Sequence, residues 1–347
     1  MRTLFRKMIS EYFGENHDIM KKNQPFIIVF LFCLFPISVR CEFVVGAYLP
    51  DYRAYLDVNK TAVILTDLIL FSIEPMKIAS THALKSQCCL GESHYKLAHD
   101  AKNHRKEKYK DRKAMKLWAS IGGAGRSSGF NSMLINQSKR LDFIASMIGL
   151  CKEEDLDGID LDHEEISSKD EYDAYMNFLI EAAKAFHVEN LLLSMTSRNR
   201  PPKEVWQHVD RVNFMAYDII RPNGPKHHAS YRVVTNIIDE WLDAGCPPEK
   251  IVLGIPGYGR HVNNPSQVKT YAELVDDGLR DLSTMKWQGY YFDSWSLIRK
   301  KMEYVKRRGL AGAFLWELGH DKVTEEYPAG VLLSAIATLL ENHQDEL

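Results

Sequence analysis

The chain has 347 residues, of which 45% are hydrophobic and 26% charged, with a formal net charge of −2. That balance suits one large globular domain or two small ones, and it gives no electrostatic reason to expect a nucleic-acid partner. No internal repeat and no low-complexity linker interrupts it.

The first feature along the chain is an address. Phe26 to Phe35 is an apolar run of ten residues behind Lys21 and Lys22. A helix needs about 20 apolar residues to span a bilayer, so the run is too short. It reads as the core of a signal peptide over residues 1–41, with cleavage near Cys41. A start at Met20 would give the ordinary Met-Lys-Lys layout. An uncleaved signal anchor is the alternative. At the other end, Gln344-Asp-Glu-Leu347 resembles the retrieval signals read by a receptor of the endoplasmic reticulum. Together the two ends imply lumenal retention, with secretion as the alternative. The sequons at Asn59 and Asn136 are compatible with either.

Between these ends, over residues 42–343, short apolar runs alternate with longer amphipathic ones, the pattern of parallel strands covered by helices. Phe43 to Tyr48 predicts a first strand, Asp67 to Ser72 a second, and Met115 to Ser120 a third that runs into Gly122-Gly123. A fourth lies within the acidic stretch Leu156 to Glu164. Asn190 to Ser194, Val212 to Met215, Ile251 to Ile255 and Gly312 to Leu315 complete eight. Helices are expected over Asp170–Phe186, Val233–Ala244 and Ser294–Arg308, the last stopped by Gly309. The basic run Lys102 to Lys113 reads as a solvated helix face, because its charges are mixed and it lacks an apolar side. Eight strands at this spacing predict an α/β fold, a (β/α)8 TIM barrel in a single domain.

Six cysteines are present, at 33, 41, 88, 89, 151 and 246. The last four allow two disulfides in an oxidising compartment, with the pairing open, although a bond between adjacent Cys88 and Cys89 would be strained. No CxxC or His/Cys cluster stands at metal spacing, so no zinc site is expected.

The fourth strand carries the chemistry. Its apolar/acidic alternation puts Asp160 and Asp162 on one face, with Glu164 continuing the row and Ile159 and Leu161 opposite. At about 3.3 Å per residue, neighbours in the row stand roughly 6.6 Å apart. Like charges in line raise one another's pKa, which keeps an acid protonated near neutral pH. A metal site or a solvated edge strand are the plainer readings. An edge strand would not back its acids with Ile and Leu. Barrel active sites lie at the C-terminal strand ends, and there the chain places Tyr48, Phe71, Gly123, Met215, Tyr217, Asp218, Tyr258 and Trp316.

Asp157-Gly-Ile-Asp-Leu-Asp-His-Glu164 resembles the DxxDxDxE signature of glycoside hydrolase family 18, the chitinases and their relatives. His163 departs from it, at a position usually aromatic or aliphatic. Ser120-Ile-Gly-Gly123 is similar to the family's SxGG motif. Asn213 to Asp218 is similar to MxYD, Gly254 to Arg260 to PxYGR, and Gly312 to Glu317 to the last strand with its sugar-stacking Trp. The likeness runs from Phe43 to Leu340. Many members insert a small α+β subdomain after YGR. Here only 28 residues separate Arg260 from Gly289, which implies a short form with a shallower cleft.

The resemblance implies a monomeric, metal-free and cofactor-free retaining enzyme that hydrolyses β-1,4-linked N-acetylglucosamine, in chitin or chitooligosaccharides. It implies substrate-assisted catalysis, with the 2-acetamido oxygen attacking and Glu164 as general acid and then base. Asp162 would bond the acetamido N–H and share a proton with Asp160. Tyr217 would hold the acetamido oxygen. Met215 and Asp218 would line the subsite, and Trp316 would floor it. Tyr258 and Arg260 could contact substrate or simply close the barrel. Asp157 reads as structural. Two alternatives remain: an endo-β-N-acetylglucosaminidase acting on the chitobiose core of N-glycans, and a non-catalytic lectin.

Overall fold

The computed structural model describes residues 43–53, 55–75, 90–110, 112–220 and 224–341. The chain divides into two compact units, Met1–Cys41 and Glu42–Leu347. The first unit lies outside the described residues, as do the Gln344–Leu347 tail, Cys88 and Cys89. The second unit is the barrel.

Seven parallel strands come first: β1 (Val44–Pro50), β2 (Asp67–Ile73), β3 (Lys116–Gly122), β4 (Gly158–Asp162), β5 (Leu192–Ser197), β6 (Arg211–Phe214) and β7 (Ile251–Pro256). A small group comes next, β8 (Tyr258–His261), β9 (Val268–Thr270), β10 (Lys286–Trp287) and β11 (Tyr290–Tyr291), and then β12 (Gly312–Trp316). The first seven and β12 close into a barrel in chain order, with β12 pairing β1 through Val44↔Gly312. All eight expected strands are present, mostly extended by one to three residues at the C-terminal end.

Strand periodicity sorts the side chains. Val45, Ala47 and Leu49 of β1 join the apolar layer under the helices. Val44 and Tyr48 face the interior with Ile69, Trp118 and Phe314. The floor of the barrel is polar: Asp67 Oδ1 accepts from Trp118 Nε1 at 2.8 Å and from Arg211 Nη1 at 2.6 Å. A buried carboxylate with two such donors is satisfied, so the floor stays closed.

The helices are α1 (Asn59–Ala62), α2 (Glu92–Lys108), α3 (Phe130–Leu134), α4 (Gln137–Glu153), α5 (Lys169–Val188), α6 (Lys203–Trp206), α7 (Tyr231–Asp243), α8 (Tyr271–Asp276), α9 (Trp295–Arg308) and α10 (Val331–Glu341). In α5, Tyr175, Phe178, Leu179, Ala182 and Phe186 are buried at three- and four-residue steps, and the Ser168 side chain caps the start by accepting from Glu171 N. That is an amphipathic helix held by tertiary packing, with one orphan N–H satisfied. Helix α9 ends as expected at Gly309, in the left-handed region at φ 69°. Helix α10 succeeds β12 and runs back along the outside of the barrel.

Two expectations need correction. The basic run is not a wholly solvated face: α2 ends at Lys108, and Arg105 is only 5% exposed, donating to Val63 O at 2.8 Å. Arg105 thus ties α2 to the carbonyl end of α1. Cys151 and Cys246 are buried free thiols, each pushed up to about 12 by burial, so no bridge joins them. The short segment around Arg260 carries secondary structure of its own. It folds as an antiparallel sheet in the order β10-β11-β8-β9, beside the six-residue α8.

Candidate active site

Strand β4 lies between β3 and β5, so its inward row points into the barrel. Asp160 sits deepest and is fully buried. Its Oδ1 accepts from Ser194 Oγ at 2.7 Å and Asn213 Nδ2 at 3.0 Å. Its Oδ2 accepts from Tyr48 OH at 2.9 Å, Thr196 Oγ1 at 3.0 Å and Ser120 Oγ at 3.2 Å. Burial raises its pKa, against the pull of these donors. The proton shared with Asp162, implied by the resemblance, has no hydrogen bond to carry it in this state. Asp162 is instead coupled by charge. Its pKa is raised well above the carboxylate range, first by burial, then by Glu164 and Asp160. Its Oδ1 is buried without a hydrogen-bond partner. An unsatisfied buried acceptor costs about 1–3 kcal/mol, so this oxygen is poised for a donor. Asp157 is structural, as expected: its Oδ2 accepts from Leu117 N at 2.8 Å and Lys102 Nζ at 3.3 Å. His163 points away, stacked on Phe130 at 4.5 Å and paired with Glu171 at 3.1 Å.

Glu164 stands where the row meets solvent, its side chain 18% exposed. Its N–H donates to Ser127 Oγ at 3.3 Å. Arg198 from the end of β5 donates to Glu164 Oε2 at 3.3 Å through Nη2 and to Tyr217 O at 2.9 Å through Nη1. Arg198 escaped the sequence reading, since in Ser197-Arg-Asn-Arg200 it looks like any solvated loop cation.

Around the acids lies a cavity of about 130 Å³, walled by Asp162, Glu164, Met215, Tyr217, Asp218 and Trp316. Tyr48 and Tyr258 also reach it, as do Thr196 and Arg198. A second cavity of about 210 Å³ adjoins on the far side of Glu164 and Arg198, toward Ile166, Tyr172 and Met176. Besides Asp160, three expected site residues stand behind the wall. Phe71 packs edge-on to Trp316 at 4.7 Å. Arg260 grips Asp218, with Nη2 to Oδ2 at 2.7 Å. Gly123 donates its N–H to Asp162 O at 2.6 Å. A Cβ at Gly123 would stand 2.3 Å from Phe71 Cζ, on a backbone at φ 97°. Gly123→Ala is therefore expected to displace Phe71 and with it Trp316. It should cost about 2 kcal/mol of stability, since a side chain there is strained as well as crowded. Denaturant unfolding measures this directly.

Asp218 is itself braced. It sits at φ 59°, and His228 Nδ1 lies 3.0 Å from its Oδ1. Burial works to raise its pKa, but His228 and Arg260 hold it below the usual carboxylate range. His227 stacks on His228 at 5.8 Å, lies 2.8 Å from Phe292 O and 3.5 Å from Asp293 Oδ1, and Asp293 pairs with buried Lys301. Burial lowers the pKa of His227 to about 4, against the opposing charge of Asp293. The unfolded chain therefore takes up this proton at higher pH than the fold does. Stability is full above pH ~6.5 and falls by up to about 3 kcal/mol as pH drops toward 4. His227→Gln should flatten that part of a melting-temperature profile against pH.

A closed barrel with a row of acids at its mouth, backed by phenols and an indole, is the build of a carbohydrate-cleaving barrel enzyme. Residues 44–321 match the family described as glycosyl hydrolases family 18, and the chain belongs to that family. Among similar curated proteins, a class V chitinase of Arabidopsis thaliana is 29% identical over 274 residues, 60% of this chain and 70% of that one. Class V chitinase CHIT5 of Lotus japonicus is 26% identical over 268 residues, 58% of this chain and 66% of its own. Endochitinase 1 of Metarhizium robertsii is 25% identical over 269 residues, 60% of this chain and 62% of its own. The chain thus spans about two thirds or less of two of these relatives. A GH18 chitinase of Cycas revoluta solved with (GlcNAc)3 superposes with TM-score 0.68 at 21% identity, over 84% of this chain and 98% of that one. The GH18 chitinase ChiB of Flavobacterium johnsoniae gives 0.71 at 20%, over 86% and 95%. These two likenesses establish the fold.

Proposed function

We propose that the chain is a chitinase-type hydrolase that cleaves β-1,4-linked N-acetylglucosamine with retention, through an oxazolinium intermediate. The observation that carries this reading is the distribution of carboxylates. An ordinary retaining glycosidase flanks the scissile bond with an acid and an opposing nucleophilic carboxylate. Here Asp162 ends β4 and Glu164 follows two residues on, so both come from the same wall, and the third cavity carboxylate, Asp218, is held by Arg260 and His228. With no carboxylate free on the opposite wall among the described residues, the nucleophile is supplied by the substrate's own 2-acetamido oxygen. Glu164 protonates the leaving oxygen, then takes a proton from the water that opens the ring. The unpartnered Asp162 oxygen receives the acetamido N–H, the Tyr217 hydroxyl steadies the acetamido oxygen, and Trp316 packs on the sugar's C–H face. The chitinase names of the relatives support the substrate class.

A second reading is favoured by the two ends of the chain. If the leader and the Gln344-Asp-Glu-Leu347 tail keep the enzyme in the endoplasmic reticulum lumen, the abundant β-1,4-linked substrate there is the chitobiose core of N-glycans. The test sets N,N′,N″-triacetylchitotriose beside a high-mannose glycopeptide. Turnover of the chitooligosaccharide establishes the first reading, and cleavage of the glycopeptide alone establishes the second. Binding of either without turnover by the wild-type chain would reduce the protein to a lectin.

A further inference from the structure

We infer that Arg198 is a positioning residue for proton donation, holding one oxygen of the Glu164 carboxyl group at the boundary between the two cavities so that the protonated oxygen is aimed at the leaving group. This deepens the proposed function and rests on Glu164 being the acid. Arg198 borders both cavities, as Glu164 does. Its guanidinium bridges Glu164 Oε2 at 3.3 Å and the backbone carbonyl of Tyr217 at 2.9 Å, so one rigid fork sets the acid relative to the residue that steadies the acetamido group. Its charge lies 5.9 Å from the centre of the Tyr217 ring. The planar guanidinium is pre-organised for two anchors at once, which a point charge on a flexible stem is not. Engaging one oxygen restricts rotation of the carboxyl group and so directs the other oxygen. The side chain is 40% exposed, so it reaches the acid from the solvent side of the site.

A misaimed acid slows the bond-breaking step, which kcat/KM reports, only where the leaving group needs protonation. An alkoxide leaving group needs it, whereas a dinitrophenolate departs nearly unaided. Arg198→Ala should therefore lower kcat/KM for N-acetylchitotetraose by roughly 30-fold, mostly in kcat, and lower that for 2,4-dinitrophenyl N,N′-diacetyl-β-chitobioside by less than about 3-fold. Arg198→Lys, which keeps the charge and loses the fork, should recover only part of the loss. Arg198→Gln gives the same comparison if the alanine variant proves unstable. Equal losses on the two substrates, or no loss on either, would overturn the inference. Glu164→Gln, run in parallel, separates the two levels. If it keeps tetraose turnover, the reading of Glu164 fails and the inference falls with it. If it is inactive while Arg198→Ala is unselective, only the inference fails.

Discussion

Glu164→Gln is expected to reduce turnover of chitooligosaccharides by at least about 10³-fold, while the protein stays folded and still binds substrate. The amide matches the carboxyl in shape but can neither give up a proton to the leaving oxygen nor accept one from water. Both half-reactions fail together, so no glycosyl intermediate should accumulate. The substitution also removes one of the two charges that raise the pKa of Asp162, and this relief should offset the loss of the Arg198 contact in the melting temperature. Steady-state rates, calorimetric binding of chitotetraose and a thermal melt check the three parts. A variant retaining a tenth of wild-type turnover would remove Glu164 from the chemistry.

Asp160→Ala is expected to have the largest effect on stability. Five donors converge on this one buried carboxylate, from Tyr48, Ser120, Ser194, Thr196 and Asn213, which lie on four strands besides β4. Removing the acceptor strands them in a closed interior. Leaving a buried hydrogen-bonded charge network without its centre costs about 3–5 kcal/mol, or a drop of about 10 °C in melting temperature for a domain of this size. Asp160→Asn should lie between, because its amide keeps one accepting oxygen but aims two new donors at existing ones. Turnover should fall in the alanine variant even where it is folded, since Tyr48 borders the cavity at the acids and would lose the Asp160 hydrogen bond that anchors it. A loss of under about 2 °C would mean that the burial penalty of the carboxylate already cancels its hydrogen bonds.

The barrel was legible because its strands are buried on both faces and read as apolar runs. The acidic strand was legible because inward carboxylates backed by Ile159 and Leu161 make sense only on a strand opening into a site. The small sheet was not legible. Strands of two to four residues are too short to show an alternation, and their pairing depends on Tyr258 and Arg260 leaving β7, which is tertiary information. Arg198 was hidden for a related reason: a cation in a polar loop looks solvated until the fold brings a carboxylate to it. Phe71, expected at a strand end of the site, packs behind Trp316, and Arg260, left open between two roles, grips Asp218, since a motif gives a residue's neighbourhood and not its depth. His227 and Lys301 look like surface residues in the sequence, and only the packing of Asp293 against them shows otherwise.

The barrel's connectivity has a practical consequence. Strand β1 begins, and helix α10 finishes, at the end of the barrel opposite the carboxylates. Both points where the described fold joins the rest of the polypeptide are thus on the side away from the substrate entrance. A tether or tag joined at these two points of the described fold leaves the mouth facing outward. Immobilising the enzyme just after α10 should therefore preserve access for large substrates as well as small ones.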